Sequence, residues 1–85
     1  MTQFRLTFLV GLKEGILDPA GQATRNVLQN IGYQADDVRI GKWIQVVVSA
    51  KTEDQALTIG QEIGQRLLSN PVMEYFEVTV QAYEQ

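Results

Sequence analysis

Two cationic side chains bracket a glycine near the middle of the chain. Arg39 and Lys42 lie on either side of Gly41, and Trp43, the single tryptophan, follows directly. Cations beside a glycine turn can hold a phosphate group or a carboxylate of a partner protein. Trp and Arg are also favoured anchors at protein interfaces. The same pattern suits a plain exposed turn, so it indicates recognition chemistry and leaves the target open.

Side chains for catalysis and metal binding are scarce. The chain has no cysteine and no histidine, so it lacks a thiol nucleophile, the usual proton shuttle and the commonest metal ligand. An acylphosphatase-like hydrolase would need an anion-binding loop after the first strand, where Glu14 and Asp18 would repel phosphate. The neighbouring Asp36 and Asp37 are typical of a solvated or capping acidic pair. We therefore expect no catalytic residue, no metal site and no bound cofactor.

Composition and charge argue against two classes of partner. The 85 residues include 10 acidic and 7 basic side chains, for a net charge of −3, whereas nucleic-acid binding relies on excess positive charge. No segment approaches the roughly 20 apolar residues that span a bilayer, and Met1–Val10 lacks the pattern of a signal peptide. We expect a single cytoplasmic domain over residues 1–85 that binds neither nucleic acid nor membrane.

Alternating apolar residues predict four strands. The alternation is clearest from Phe4 to Leu12 and from Ile44 to Val48, where β-branched residues dominate. The Gly41-Lys42 step between the middle strands suits either a tight hairpin or a glycine bend in one long strand, and the sequence does not decide between them. The predicted strands are Phe4–Leu12, Asp36–Ile40, Trp43–Ala50 and Val72–Ala82.

Apolar residues at three- and four-residue spacings predict two helices. Asp18 can cap the first helix, and Pro19 suits its first position. Thr52 and Gln55 form a capping-box pattern for the second helix, which Asn70-Pro71 ends. The predicted helices are Pro19–Ile31 and Glu53–Ser69; the second carries an apolar stripe of Ala56, Ile59, Gly60, Ile63, Gly64 and Leu67, whose glycines are typical of close helix-to-sheet packing.

The order β-α-β-β-α-β predicts an α+β fold, namely a ferredoxin-like two-layer sandwich with an antiparallel sheet and two helices on one face. The opposite face of the sheet then mixes apolar and polar residues, which suggests association through the sheet or its edges. The residues expected on that face are Leu9, Val47, Tyr75, Thr7, Gln45, Thr79 and Gln81. On its residues alone, the chain is interpreted as a binding or assembly module rather than a stand-alone catalyst.

Four blocks of sequence carry a family resemblance: LKEGILDPAGQA, LQNIGY, DDVRIGKWIQV and RLLSNPVMEYFEV. In order and spacing they closely resemble the PurS family, the small subunit of phosphoribosylformylglycinamidine synthase, over nearly the whole chain. Gly60 and Gly64 depart from the family pattern, because relatives often carry larger residues there. The residues that match the family motifs are Lys13, Gly15, Leu17, Asp18, Pro19, Gly21, Val38, Arg39, Gly41, Lys42, Leu67, Leu68, Asn70, Pro71 and Val72.

The resemblance implies a role in purine biosynthesis. The family's enzyme is a ligase that converts formylglycinamide ribonucleotide to the amidine. Its large synthetase subunit binds ATP, Mg²⁺ and the ribonucleotide, and a glutaminase subunit releases ammonia. A PurS-like chain is then expected to have no catalytic residue or cofactor of its own, to form homodimers, and to join the other two subunits, supporting ammonia transfer between them.

The same resemblance supplies candidate interface residues. Arg39 and Lys42 are expected to face partner carboxylates, and Gly21 to let a partner backbone approach closely. Asp18 with Pro19, and Asn70 with Pro71, are expected to fix the shape of adjoining loops. The full candidate set is Lys13, Asp18, Pro19, Gly21, Arg39, Gly41, Lys42, Trp43, Asn70 and Pro71.

Two other functions stay open at this point. An ACT-like regulatory module of the same topology would bind a small effector at a dimer interface, which predicts ligand binding by the isolated chain. A stand-alone ferredoxin-like enzyme would instead turn over substrate without partners.

Overall fold

The computed structural model describes residues 1–83 and has the predicted ferredoxin-like α+β class, an antiparallel sheet with the helix Glu53–Ile63 packed on one face. Within these residues the helix Pro19–Asn30 makes no extended contact with the sheet, so the prediction of two helices on one face is met by one helix only. Strand β1 is the central strand of an antiparallel sheet with the order β2-β1-β3. Helix α2 continues without a break into a π-helical turn. The elements are β1 (Thr2–Leu12), α1 (Pro19–Asn30), β2 (Lys42–Ala50), α2 (Glu53–Ile63), the π turn (Gly64–Leu68) and β3 (Glu74–Ala82).

The core lies between the sheet and α2. Alternate residues of β1 point towards the helix and are buried, as period-two patterning requires. The Phe8 ring is tilted against that of Phe76 on β3, with their centroids 6.4 Å apart. The buried core residues are Phe4, Leu6, Phe8, Val10, Ala50 and Ala56, and Ile44, Val46, Val48, Ile59, Ile63, Leu68, Phe76, Val78 and Val80 pack against them.

The two glycines of α2 and the π turn allow the helix to lie close to β3. A Cβ atom on Gly64 would overlap the Phe76 ring, and one on Gly60 would lie 3.0 Å from Val78 Cγ2. The prediction that these glycines serve helix-to-sheet packing is therefore confirmed.

The π turn changes which leucine reaches the core. The Ser69 N–H donates to the Gly64 carbonyl, five residues earlier, at 3.0 Å, and the Ser69 hydroxyl donates to the same oxygen at 2.7 Å. This wider turn rotates the residues that follow relative to an α-helix. Leu68 packs against the core, and Leu67 is 78 % exposed. The prediction that Leu67 belongs to the buried stripe is therefore wrong.

The segment Asp36–Ile40 does not form the predicted strand. The Ile40 N–H donates to the Asp18 carboxylate at 2.9 Å, so it is not available to a neighbouring strand. Gly41 lies against the Val10 carbonyl, where a Cβ atom would clash. The sheet of residues 1–83 consequently has three strands, and the Gly41-Lys42 step is an entry into β2 rather than a hairpin.

The face of the sheet opposite α2 is the outer face, and its composition agrees with the prediction. Leu9, Val47 and Tyr75 all expose more than two fifths of their surface there, beside the polar Thr7 and Gln45. The Gln45 Nε2 donates to the Thr7 hydroxyl at 3.1 Å.

Candidate functional site

The predicted interface residues gather at one end of the sheet. Strand β1 ends there while β2 and β3 begin, because Val10 pairs with Lys42 and Leu12 pairs with Glu74. We call this region the loop end; it comprises residues 13–18, 36–43 and 69–73. Pro19 and Gly21 begin α1 beside it. The structure thus brings together side chains that lie far apart in the sequence.

Asp18 fixes the start of α1 to the segment that precedes β2. Its carboxylate accepts the Gly21 N–H at 2.9 Å and the Ile40 N–H at 2.9 Å, and the residue is buried. The bond from Ile40, then that from Gly21, and the nearby Arg39 charge lower the pKa of Asp18 below 3.8, against the opposing effect of burial. Asp18 is therefore an ionised helix cap that also holds a distant segment.

Gly21 has its close backbone neighbour within this chain. A Cβ atom there would clash with the Val38 carbonyl and lie 2.9 Å from the Asp18 carboxyl carbon. The glycine therefore allows close contact between α1 and residues 38–40 of the same chain. The sequence suggested a partner backbone in that place, and the structure supplies an internal one.

Arg39 organises the loop between β1 and α1. Its guanidinium donates to the carbonyl oxygens of Ile16 at 3.1 Å, Lys13 at 3.2 Å and Leu12 at 3.4 Å. The planar fork of a guanidinium is suited to several acceptors at once. The Arg39 donors face the chain's own backbone, and contact with a partner carboxylate stays a prediction.

Lys13 and Asn70 shape the turn before β3. The Lys13 Nζ donates to the Pro71 carbonyl at 2.6 Å, and the Lys13 N–H donates to the Met73 carbonyl at 2.8 Å. The Asn70 side-chain oxygen accepts the Val72 N–H at 3.1 Å. These bonds fasten the turn to the end of β1.

Lys42 and Glu74 form an ion pair across the same end. The Lys42 Nζ lies 3.8 Å from Glu74 Oε2, and Glu74 Oε1 accepts the Asn70 N–H at 2.7 Å. The ammonium group is largely exposed, so the pair contributes little to stability, typically about 0–1 kcal/mol. Lys42 therefore keeps access to solvent.

A groove of about 770 Å³ opens at the loop end. Leu9, Trp43 and Tyr75 contribute apolar surface to it, and the Tyr75 ring lies over Gly11, where a Cβ atom would meet it at 3.0 Å. The charged side chains in the lining are of both signs: Glu14, Asp37, Arg39 and Lys42. This mixture lacks the single-sign field that would attract a phosphate.

Sequence reasoning missed the exposed apolar side chains of the loop end. Leu17 and Val72 are mostly exposed, and Ile40 is nearly half exposed. The signal was present, because each is an apolar residue inside a polar, turn-forming block. The loop end therefore uses Lys13, Asp18, Arg39 and Asn70 in internal hydrogen bonds and presents these apolar side chains outward.

Within residues 1–83, no group of three or more acidic, cysteine or histidine side chains is arranged to hold a metal ion. None of the helices described for these residues combines the length and apolar character needed to cross a membrane.

The pH dependence of stability should show the role of Asp18. A carboxylate with a lowered pKa stabilises the fold at pH values above its ordinary 3.8, and this contribution is lost as the pH falls below that value. We expect the urea midpoints of the wild type and Asp18→Asn to differ between pH 5 and 7 and to converge as the pH falls below about 3.8. A difference that stays constant down to full protonation would contradict this role.

Fold and site together place the chain in the class of small α+β proteins that act as subunits of larger enzymes. At the loop end its polar side chains shape the loops, and its apolar side chains face outward. Residues 5–82 match the family model PurS, described as phosphoribosylformylglycinamidine (FGAM) synthase. The chain belongs to the PurS family and is a subunit of FGAM synthase.

Individual relatives agree with this assignment. The chain is 32% identical over 79 residues to the FGAM synthase subunit PurS of Bacillus subtilis, covering 92% of this chain and 93% of that one. It is 40% identical over 73 residues to PurS of Synechocystis, covering 82% and 73%. The assignment does not favour the ACT-like alternative.

Solved structures show the same fold. PurS of Thermus thermophilus superimposes with a TM-score of 0.87 at 35% identity, covering 96% of this chain and 99% of that one. A chain in the structure of PurLQS from Thermotoga maritima also gives a TM-score of 0.87, at 30% identity, covering 95% and 100%.

Proposed function

We propose that this chain is the non-catalytic assembly subunit of a cytoplasmic FGAM synthase. It joins the glutaminase subunit to the large synthetase subunit and supports the transfer of ammonia between them. ATP and Mg²⁺ are bound by the large subunit, and this chain binds no cofactor. The likeness to a chain of PurLQS supports partners of this kind.

The observation that supports the proposal is the different use of polar and apolar side chains at the loop end. Lys13, Asp18 and Arg39 bond to the chain's own backbone, so their role is to position loops. Apolar side chains such as Leu17 and Val72 remain exposed. A surface with a rigid polar framework and outward apolar groups is typical of a protein interface rather than of a reaction centre.

We further propose that the partner interface includes Lys42 and Trp43, which are exposed at this end. Pro19, Gly21, Gly41, Asn70 and Pro71 contribute through the backbone conformation that they fix. A second copy of the chain is also a partner, because the outer face of the sheet leaves Trp43 and Tyr75 more than half exposed.

A reconstitution tests this function. The large subunit and the glutaminase are mixed with ATP, Mg²⁺ and formylglycinamide ribonucleotide, and amidine formation is followed with glutamine or with ammonium as the nitrogen source. We expect omission of this chain to lower the glutamine-dependent rate about tenfold or more, which is about 1.4 kcal/mol in activation free energy. The ammonium-dependent rate should change little.

The comparison of nitrogen sources is the internal control, since both reactions use the same synthetase site. Equal glutamine-dependent rates with and without the chain would contradict the coupling role. A loss of both rates on omission would show instead that the chain supports synthesis itself.

A further inference from the structure

Helix α2 and the π turn carry two adjacent leucines where the hydrogen-bonding pattern of the helix changes. The turns are α-helical as far as Ile63, and the π turn occupies Gly64–Leu68. The Gly64 carbonyl accepts the Ser69 N–H, five residues later, at 3.0 Å, whereas an α-helix would use the Leu68 N–H, four residues later. A change of donor by one residue at this carbonyl would therefore convert the π turn to an α turn.

The hydrogen-bonding pattern decides which leucine enters the core. Below Ile63 on the apolar stripe, an α turn places the residue four positions on, Leu67, and the π turn places the residue five positions on, Leu68. Leu68 packs against the core here, and Leu67 is 78 % exposed. We call this observed arrangement the π register, and the arrangement with Leu67 inside the α register. Because the two side chains are identical, both registers give the core the same group.

The surroundings of the two leucines do not oppose a change of register. Gly64 lies before the point where the registers diverge, so its close approach to the Phe76 ring is common to both. The two residues that follow Gly64 are exposed, so their rotation disturbs no packed group. In the π register the N–H and the hydroxyl of Ser69 both donate to the Gly64 carbonyl, at 3.0 and 2.7 Å. The α register would replace one of these bonds by the bond from Leu68, and single hydrogen bonds contribute only modestly to net stability.

The register also sets where the chain leaves the helix. Strand β3 is held in place by its pairing with β1, so residues 69–73 of the loop end must absorb the difference of one residue. These residues form a turn in which the Asn70 carbonyl accepts the Met73 N–H at 3.0 Å and the Glu74 N–H at 2.7 Å. Pro71 lies in this turn and prevents the helix from continuing through it, because proline has no N–H. A change of register therefore alters the shape of the loop end.

We propose that the helix exchanges between the π and α registers, with Leu67 and Leu68 alternating in one core position, and that the loop end thereby has two shapes. The π register is the favoured state of the chain by itself. Shifts of helix register occur on the microsecond-to-millisecond timescale. A molecule that binds one shape of the loop end more tightly would shift the population towards that shape. The exchange belongs to this chain alone, so it stands or falls independently of the proposed function.

A double-mutant cycle on the two leucines, measured by urea denaturation, tests the exchange. If Leu67 replaces the lost side chain, Leu68→Ala should lower the folding equilibrium constant by less than about tenfold, and Leu67→Ala by less than about twofold. The double variant leaves the core position without a leucine in both registers, and should lower the constant by about 100-fold or more. A loss in the double variant that equals the product of the two single losses would overturn the exchange.

The matched control is an adjacent pair five residues earlier, where the helix is regular. Ile63 packs against the core and Glu62 is exposed, so neither side chain can take the place of the other. The losses from Glu62→Ala and Ile63→Ala should therefore multiply in the double variant to within about twofold.

Thiol labelling gives a second measurement, because the chain has no cysteine. In the α register position 68 faces solvent, so Leu68→Cys should react with a maleimide faster than global unfolding allows. Ala56→Cys, at a fully buried position, reports the rate of global unfolding. Adding Leu67→Ala removes the side chain that would replace the thiol, and should slow labelling at position 68 by about tenfold or more. A labelling rate that Leu67→Ala leaves unchanged would overturn the exchange.

Amide NMR resonances test the link to the loop end. Leu68→Ala favours the α register, so the resonances of Val72 and Met73 should move. Leu67→Ala favours the π register, and should leave both resonances in place. Equal responses to the two substitutions would show that the loop end does not follow the register.

Discussion

Replacing Phe8 by alanine is expected to lower the free energy of unfolding by about 3–5 kcal/mol. Phe8 is fully buried at the centre of the middle strand, and its ring packs against Phe76 beneath α2. Removing it loses the transfer free energy of the ring and leaves a cavity. The total stability of a domain of this size is about 5–10 kcal/mol, so the variant should have a sizeable unfolded fraction under mild denaturing conditions.

Urea denaturation followed by circular dichroism measures this effect on dilute protein. Leu9→Ala is the matched control, since it removes a neighbouring apolar side chain from the outer face, where Leu9 is about half exposed. Its cost should stay within about 1 kcal/mol. Equal losses for the two variants would show that the core does not lie on the α2 side of the sheet.

The second large effect is expected from Gly21→Ala, which should detach the start of α1 from residues 38–40. The new methyl group would overlap the Val38 carbonyl, a backbone atom that cannot rotate away as a side chain can. Overpacking of this kind costs about 1–3 kcal/mol or more, whereas alanine in place of glycine within a helix normally stabilises by up to about 1 kcal/mol. The clash should therefore outweigh the gain in helix propensity.

Amide hydrogen exchange gives the clearest measurement, because the Ile40 N–H is bonded to the Asp18 carboxylate. Its protection should fall in Gly21→Ala while that of the β1 amides is retained. Gln22→Ala, an exposed change in the same helical turn, should leave both unchanged. Undiminished protection at Ile40 in Gly21→Ala would show that the contact between α1 and residues 38–40 tolerates the methyl group.

Local sequence patterns correctly predicted the elements that an apolar periodicity or a helix cap defines. The alternation of β1, the Asp18-Pro19 start of α1 and the Thr52 cap of α2 all reappear in the structure, where the Thr52 hydroxyl accepts the Gln55 N–H at 3.0 Å. In each case neighbouring residues determine the conformation. The fold class follows from the order of these elements.

Hydrogen bonds that residue spacing does not reveal explain what the sequence did not predict. Val38 and Ile40 alternate as in a strand, but the Ile40 N–H bonds to a carboxylate 22 positions earlier. Leu67 has helical spacing, but the i-to-i+5 bond to Gly64 rotates it outward. At the site, the motif residues lie together at one end of the sheet, and the internal contacts of Gly21 and Arg39 depend on a tertiary arrangement that spacing does not encode.

The attachment of α1 at its first residues, near Asp18, has a mechanical consequence. A helix about 18 Å long with its pivot at one end acts as a lever, so a rotation of about 10° at the base displaces the tip near Ile31 by about 3 Å. Small adjustments among the Asp18, Gly21 and Ile40 contacts are thereby converted into displacements as large as an atom's diameter. Substitutions at the base can therefore alter the geometry of an assembly without touching any surface that forms it.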